Sequence, residues 1–376
     1  MLDYSLIIGF AFVFTVLLIE GKTNVQKHDW RWSNKTLDLT SWYQPWEICM
    51  LQNDSDVLSL QIIRKECIEK SKPVDGVESL ECRAGGNMQR TLENVGCRLP
   101  SERSMLSHTY LRKHIEGFDN PAQDFVGQLV KNLHLYDAAF ITHGDSVSSH
   151  AIKRAVNCEL DRKGYQFSSV DFVRGLNLLP KDTTVKQNNT EIVLRFYINL
   201  HLDLKAIEES LVVPLSEKKN ILLLLNTGLH YSDPHIFENH VRNVFTFLDQ
   251  LSYKHNSTRF VFVWMETSAQ HFHGPTSYGY WAQQSQDCGP IKDLNSTLDW
   301  RNYLVAKVLE TESLFKLANT YFSVLPIRKI TETMWDTHDG AIEGSRRGSD
   351  CTHYCWSPLY FQPIFSAIAE SSSFFS

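Results

Sequence analysis

The fold of this chain is decided by the stretch Ala138-Ala139-Phe140-Ile141-Thr142-His143-Gly144-Asp145-Ser146. Its first half is a short apolar run, which is typical of a buried strand. Gly144 then permits a tight turn, and a helix is predicted to begin at Val147. A serine at such a bend is exposed at the positive end of a helix, where free N–H groups can stabilise an oxyanion. Gly-Asp-Ser is also a common turn, in which Asp145 or Ser146 would only cap the helix.

Similar apolar runs recur along the chain and alternate with amphipathic stretches. The further runs are 192–198, 221–225, 260–264 and 321–326. The stretches predicted as helices are 147–162, 234–252, 299–320 and 358–370. Continuous apolar strands that alternate with helices predict an α/β fold, with a parallel sheet covered by helices on both faces. Polar residues that follow the strands would then meet in the crevice at the carboxyl edge of the sheet.

The chain divides into three parts by its sequence pattern. Residues 1–22 contain a strongly apolar run. Residues 23–130 hold four of the eight cysteines and many turns, without sustained periodicity. They are predicted to form a smaller, irregular lobe that disulfides staple onto the main domain. Residues 131–376 carry the alternating pattern and are predicted to form that main domain.

The apolar run of residues 6–19 predicts a targeting segment. Its fourteen residues reach about 21 Å as a helix, less than the roughly 30 Å of a hydrocarbon core. That length suits a signal peptide or a short signal anchor, and either role sends residue 23 onward into the secretory lumen. Asp3, the absence of Lys or Arg before the run, and the absence of a clear cleavage site leave that choice open. A buried helix of the domain is the alternative, although Thr15 would be its one polar group.

Two further features agree with a secretory location. Five Asn-x-Ser/Thr sequons are candidate N-glycosylation sites, at Asn34, Asn53, Asn188, Asn256 and Asn295. An even number of cysteines in a secreted chain favours disulfides; they are Cys49, Cys67, Cys82, Cys97, Cys158, Cys288, Cys351 and Cys355. Zinc binding by Cys351, His353 and Cys355 is the alternative. No metal is expected, because these ligands are spaced two residues apart and lack a partner pair with finger-like spacing.

The net charge of the chain bears on its partners. A formal charge of −6 leaves no basic face for a polyanion, so nucleic acid is not expected to bind.

The stretch Asp350-Cys351-Thr352-His353 near the C-terminus supplies what a serine nucleophile needs. A serine hydroxyl requires a base, and the base requires an anion that fixes its tautomer and stabilises the imidazolium. Asp350 and His353 are three residues apart, a spacing that places both side chains on one face of a helical turn. Taken alone, the pair could also be an ordinary loop aspartate and histidine.

Two other strand ends carry candidate site residues. Asn226 follows the run 221–225 and stands close to Gly228, from where its amide can point into the crevice as an oxyanion donor. An ordinary Asn/Gly turn is the alternative. His271 follows the run 260–264 and is a candidate substrate contact, although a plain surface histidine fits equally well.

In order along the chain, these motifs resemble the trichome birefringence-like and PC-esterase family of the GDSL/SGNH hydrolase superfamily. The residues 350–355 are similar to that family's Asp-Cys-Ser-His-Trp-Cys motif. The residues 226–228 look like the start of its Asn-Thr-Gly-His-Trp element, with His230 near the expected histidine. The residues 268–272 resemble its Ser-Pro-x-His-Phe stretch, which Tyr280 follows here. Weaker similarities lie at 335–338 and at 97–100, and the resemblance covers most of the lumenal chain.

The resemblance implies an SGNH-like α/β/α domain and a Ser146–His353–Asp350 catalytic triad. Ser146 would attack an acyl donor, His353 would act as base and then acid, and Asp350 would orient it. The turn that contains Gly144 and Asp145 would hold the oxyanion together with Asn226. The resemblance further implies disulfides such as Cys288–Cys351 and Cys82–Cys355.

The family also implies where the protein works and on what. Many members O-acetylate polysaccharides in the Golgi lumen, as single-pass type II membrane proteins or secreted proteins. We therefore expect a carbohydrate substrate, with His271, His230 and Tyr280 as candidate contacts, and a membrane partner if residues 1–22 are retained. No bound cofactor is expected; an acyl donor such as acetyl-CoA would be a co-substrate. The family's Arg-Thr is replaced by Met265-Glu266, which indicates a divergent branch.

Three hypotheses follow from the sequence. The first is a glycan O-acetyltransferase, in which a sugar hydroxyl takes the acyl group from the enzyme. The second is a carbohydrate esterase, in which water takes it. The third is a glycan-binding protein without catalysis, which predicts the loss of a triad member although all three are present.

Overall fold

The computed structural model describes residues 25–27, 30–32, 110–112, 125–150, 166–168, 183–187, 190–272, 300–312, 314–331, 351–354 and 358–376, together with Ile152 and Ile291. The strands are β1 Val25–Lys27, β2 Trp30–Trp32, β3 Tyr110–Arg112, β4 Ala138–Gly144, β5 Gln166–Ser168, β6 Thr183–Gln187, β7 Thr190–Ile198, β8 Asn220–Leu225, β9 Arg259–Met265 and β10 Thr320–Leu325. The helices are α1 Phe125–Leu135, α2 Leu204–Glu217, α3 Pro234–Lys254, α4 Trp300–Thr311, α5 Ile327–Thr331 and α6 Pro358–Ser372.

Eight strands form one sheet in the order β1-β10-β9-β8-β4-β7-β6-β5. The pairings from β1 across to β7 are parallel, and those of β6 with β7 and β5 are antiparallel. Strand β4 lies between β8 and β7, with His143 opposite Leu225 and Gly144 opposite Ile198. The chain therefore leaves β7, β4 and β8 at neighbouring points on one edge, which we call the carboxyl edge.

Helices cover both faces of the sheet because every central strand is apolar on both sides. Helices α1 and α6 pack on the face that carries Phe140 and Leu222. Helices α2, α3 and α4 pack on the face that carries Ile141 and Leu223. The prediction of an α/β fold with a parallel sheet and helices is thereby confirmed.

Helices α2 and α3, the two longest on the second face, each begin at an aspartate that caps the helix. Asp203 accepts a hydrogen bond from Ala206 N at 3.0 Å and caps α2. Asp233 accepts from His235 N and Ile236 N, and Pro234 occupies the first turn of α3. Both caps satisfy N–H groups that a helix start otherwise leaves unpaired.

The C-terminal residues lie at the opposite, amino edge of the sheet. Strand β1 runs parallel to β10, and its Val25 pairs with Phe322, the third residue of that strand. Arg259, the first residue of β9, donates a hydrogen bond to the carbonyl oxygen of Phe375 at 2.8 Å. The ring of Phe375 lies 6.5 Å from that of Tyr136, just before β4.

The predicted strands are confirmed as β4, β7, β8, β9 and β10. The helices predicted at 234–252 and 358–370 are also confirmed, as α3 and α6. The prediction of one helix over 299–320 was wrong: α4 ends at Thr311, the backbone reverses at Phe315 with φ 56, and Thr320 begins β10. Of the helix predicted at 147–162, the described residues show a π-helical turn, Ser146–His150, and a helical Ile152.

Several elements were not predicted from the sequence. Helix α1 has apolar residues at helical spacing but crosses the predicted boundary near residue 130. Helix α2 contains Pro214 near its end, a residue that usually argues against a helix interior. Strands β1, β2 and β3 come from the segment predicted as irregular, and β1 joins the main sheet. No helix in the described part of the chain combines the length and apolar character needed to cross a bilayer; the run 6–19 lies outside that part.

Candidate active site

Ser146 stands on a tight turn that leaves little room for a side chain at Gly144. Gly144 ends β4, and Ser146 begins the π-helical turn. A Cβ atom at position 144 would lie 1.9 Å from Ser148 Oγ and 3.1 Å from the carbonyl oxygen of Asn226. The glycine therefore allows the turn to fold back closely enough to present Ser146, which is partly exposed.

The Ser146 hydroxyl meets the imidazole of His353. Ser146 Oγ and His353 Nε2 are 2.6 Å apart, although 207 positions separate them in the chain. Both side chains are partly exposed. For Nε2 to accept the hydroxyl proton, the imidazole must carry its own proton on Nδ1, the tautomer that a carboxylate beside Nδ1 would select. Asp350, the predicted carboxylate, lies outside the described residues.

Three hydrogen bonds hold the loop that carries His353 against the segment after β9, residues 269–271. We call this arrangement the loop clamp. Tyr354 Oη donates to the carbonyl oxygen of Ala269 at 2.5 Å. Gln270 Nε2 donates to Thr352 Oγ1 at 2.8 Å, and the backbone N–H of His271 donates to the carbonyl oxygen of Cys351 at 3.0 Å. The bonded groups lie on both sides of His353, so the clamp fixes where its imidazole stands.

A disulfide at Cys351 restrains the same loop. Cys351 is disulfide-bonded and completely buried. A disulfide sulfur is not a thiolate, so Cys351 does not serve as the zinc ligand considered above. Within the described residues, no group of three or more His, Cys, Asp or Glu side chains is arranged to hold a metal ion. The other seven cysteines lie outside those residues, as do the partners implied for Cys351 and Cys355.

Asp145 is a buried carboxyl that organises the serine turn. Its Oδ1 accepts from the backbone N–H of Val147 at 2.9 Å and of Ser148 at 3.2 Å. Its Oδ2 is buried and has no hydrogen-bond partner among the described residues. Burial raises the pKa of Asp145 to about 6, against the lowering effects of those two hydrogen bonds and of His353.

The capping by Asp145 changes the expected oxyanion donors. The sequence left two alternatives for this turn, free helix N–H groups that face an oxyanion or capping by Asp145 or Ser146. Asp145 accepts from the N–H groups of Val147 and Ser148. On this turn the Ser146 N–H is the donor that Asp145 does not take. The Asn226 amide also has other bonds: Nδ2 donates to the carbonyl oxygens of Met265 at 2.9 Å and Glu266 at 3.2 Å, while Oδ1 is buried without a partner in the described part.

The loop after β8 is rigidly held beside the serine turn. Gly228 has φ 147, and a Cβ there would lie 2.2 Å from Thr267 Oγ1, so glycine is required. The buried Arg301 donates to the carbonyl oxygens of Gly228 at 2.6 Å and Tyr231 at 2.8 Å. The two bonds bracket His230, whose side chain is exposed.

The remaining predicted residues fall in different places. His271 is buried, 1% exposed, and its ring stands edge-on to Tyr354 at 6.4 Å, which makes it part of the support for the loop clamp. Its predicted contact with substrate stays a prediction. Tyr280 lies outside the described residues. The sequon at Asn256 is exposed in the turn before β9, as glycosylation requires, and the other four sequons lie outside.

Sequence reasoning missed several residues at this edge of the sheet. Gln270, Thr352 and Tyr354 form the loop clamp, and they could have been suspected because they flank predicted site histidines. His143 is buried behind the serine turn, where Nε2 lies 2.9 Å from Ser210 Oγ and burial lowers its pKa to about 3. His201, on the loop after β7, carried no motif. Its position near the serine turn follows from the pairing of β7 with β4.

Comparison with known protein families, with curated proteins and with solved structures finds no match to this chain.

The raised pKa of Asp145 predicts a pH-dependent difference in stability between the wild type and Asp145→Asn. Folding raises this pKa from 3.8 to about 6, so the stabilisation is complete below pH 3.8 and is lost as the pH rises through about 6. The difference between pKa values, 6 minus 3.8, corresponds to about 3 kcal/mol. Urea unfolding should show the stability of the wild type, relative to the variant, falling by about that amount between about pH 3.5 and 7.5. Parallel pH profiles for the two proteins would contradict it.

Proposed function

We propose that this protein is a serine-nucleophile enzyme that moves acyl groups on carbohydrate, most directly a glycan O-acetyltransferase. The observation that carries the proposal is the 2.6 Å contact between Ser146 Oγ and His353 Nε2. A hydroxyl and an imidazole at that distance, on a partly exposed turn, are what nucleophilic acyl transfer requires. The third hypothesis, a binding protein without catalysis, gives no reason for this contact.

The proposed reaction has two halves. Ser146 Oγ attacks the acyl carbonyl carbon of the donor while His353 Nε2 takes its proton, and the donor's leaving group departs with that proton. A hydroxyl of the glycan then attacks the acyl-enzyme, and His353 takes the proton from that hydroxyl and returns it to Ser146. Asp350 is proposed to hold the imidazole through Nδ1, and the Ser146 N–H is proposed as an oxyanion donor. In its present bonds, Asn226 supports the crevice by joining the ends of β8 and β9.

Two further observations support the proposed family and location. A parallel sheet with helices on both faces is compatible with the layered domain of an SGNH-like enzyme. The disulfide at Cys351 fits the oxidising secretory lumen, where we propose that the protein acts as a type II Golgi membrane protein or a secreted one. The carbohydrate substrate and the acyl donor, such as acetyl-CoA, rest on the order of the motifs.

Hydrolysis is the second candidate activity. Because Ser146 and His353 are both partly exposed, water can reach an acyl group on Ser146. The same residues would then release the acyl group as an acid, and the protein would be a carbohydrate esterase.

Ser146→Ala is expected to abolish covalent labelling by a fluorophosphonate, because the attacking oxygen is removed. His353→Gln should slow the same labelling by about a hundredfold or more, since general-base catalysis contributes on that order. Labelling is measured by intact-protein mass spectrometry. The matched control is Ser216→Ala, at an exposed serine of α2, which should label like the wild type. Labelling that persists in Ser146→Ala would refute the nucleophile.

Tyr354→Phe is expected to slow the labelling of Ser146 without unfolding the protein. The substitution removes the hydrogen bond to Ala269 and keeps the ring. The loss is about 0.5–1.5 kcal/mol, or roughly two- to thirteenfold in rate if it acts through the position of His353. Tyr303→Phe is the control, since Tyr303 is 52% exposed on α4. Equal rates for the two variants would mean that the loop clamp does not position the imidazole.

Incubation of the purified lumenal part with an acetyl donor and an array of oligosaccharides separates the two candidate activities. Transfer predicts a gain of one acetyl mass on a sugar, and hydrolysis predicts the loss of acetyl groups already present. Neither change should occur with Ser146→Ala. The absence of both in the wild type, over a broad array, would count against carbohydrate as the substrate.

A further inference from the structure

Two exposed histidines come together beside the candidate nucleophile. His201 lies on the loop after β7, and His230 lies on the loop after β8. These strands are the two neighbours of β4, whose end carries Ser146. Thr227 Oγ1 donates to the carbonyl oxygen of Leu200 at 2.7 Å and ties the loops to each other. The two imidazole centroids are 6.2 Å apart.

The two loops are also anchored to the serine turn and to helices behind it. Asn199 N donates to the carbonyl oxygen of Gly144 at 2.8 Å, next to the turn itself. The ring of Tyr231 stands edge-on to His201 at 5.1 Å and stacks on His240 at 5.7 Å. The positions of His201 and His230 are therefore built into the fold.

Neither imidazole takes part in the hydrogen bonding of the described residues, although the His201 ring packs against Tyr231. Both side chains are exposed, and no nitrogen of either ring is hydrogen-bonded to a described residue. Imidazoles that merely support a structure usually have partners, as His143 has in Ser210 and Asn199. The four ring nitrogens therefore have no hydrogen-bond partner among the described residues, and His230 is close enough to His353 to interact with it electrostatically.

The charges around this pair favour an anion. His230 is close enough to His201 and His353 for their positive charges to lower its pKa, after the larger effect of partial burial. Arg301 adds a buried positive charge beneath the same loop. Of the nearby carboxylates, Asp203 caps α2 and acts on His240, and Asp233 caps α3. Protonated imidazoles that repel one another in this way gain most from a bound anion.

We propose that His201 and His230 form a binding site for an anionic group, a phosphate, sulfate or carboxylate, on a substrate that reacts at Ser146. That the anion belongs to a substrate rests on the proposed acyl chemistry, whereas anion binding itself does not require Ser146. The anion can belong to the acyl donor or to the acceptor sugar. Because the imidazoles bind it in their protonated form, binding strengthens as the pH falls.

The first test measures binding directly with inorganic sulfate. The pKa values of His201 and His230 are followed by NMR of histidine-labelled protein, with resonances assigned from His201→Gln and His230→Gln. Sulfate at about four times its dissociation constant should raise the two pKa values by about 0.7 in total, the logarithm of 1 + 4, because one anion is shared by both imidazoles. Chloride at equal ionic strength should not, and the exposed His134 should not respond. The inference is overturned if sulfate moves neither imidazole.

The second test identifies the source of the anion with matched substrate pairs. For the donor, acetyl-CoA is compared with S-acetylpantetheine, which keeps the thioester arm and lacks the phosphates and the adenosine. For the acceptor, a methyl glucuronoside is compared with the methyl glucoside. At about pH 6 the charged member of one pair should be favoured about tenfold in kcat/KM, as a charge-assisted hydrogen bond gives. The ratio should fall toward one at about pH 8 and in the double Gln variant.

The outcomes separate this inference from the proposed function. Equal use of both members in both pairs at pH 6 overturns the anion site while leaving the acyl chemistry intact. Absence of all turnover, together with the sulfate-induced rise of both pKa values, supports the anion site and counts against the acyl chemistry.

Discussion

The hydrogen bond between Ser146 Oγ and His353 Nε2 is the contact on which the rest of the site depends. It joins a turn at the end of β4, which supplies the hydroxyl, to a loop near the C-terminus, which supplies the imidazole. The sheet supplies one half of the geometry, since the register of β4 with β7 and β8 fixes where the serine turn emerges. The loop clamp and the disulfide at Cys351 supply the other half. A short distance held from both sides is preorganised, which is what the proposed acyl transfer would require.

Stability is partly given up at this edge of the sheet. A fully buried carboxyl at position 145 caps two N–H groups with one oxygen and leaves the other without a described partner, an arrangement that costs desolvation energy. Gly144 and Gly228 occupy positions where a side chain would collide, although glycine loses more backbone freedom on folding than other residues. Costs of this kind concentrate at functional sites.

The central strands and the fold class could be predicted because each strand is apolar on both sides, which follows directly from burial on two faces. Helices α3 and α6 were predictable from their periodicity. Helix α2 was not predicted because it contains Pro214. The end of α4 was missed because the positive φ of Phe315 cannot be recognised in the sequence. The contact between Ser146 and His353 could be anticipated because each residue lies in a motif. His201 and the loop clamp have none: their roles depend on which strands are neighbours, and strand order is not written in local sequence. Capping of the helix start by Asp145 was one of the two alternatives for this turn, and its hydrogen bonds to the N–H groups of Val147 and Ser148 agree with it.

The placement of the C-terminal residues has a practical consequence for handling the protein. Phe375 lies at the amino edge, and the seven residues of β4 cover about 23 Å between that edge and the serine turn. A resin, a fluorophore or a fusion partner attached after Ser376 is thus about a strand length from the crevice. Protein immobilised in this way would present its crevice away from the support.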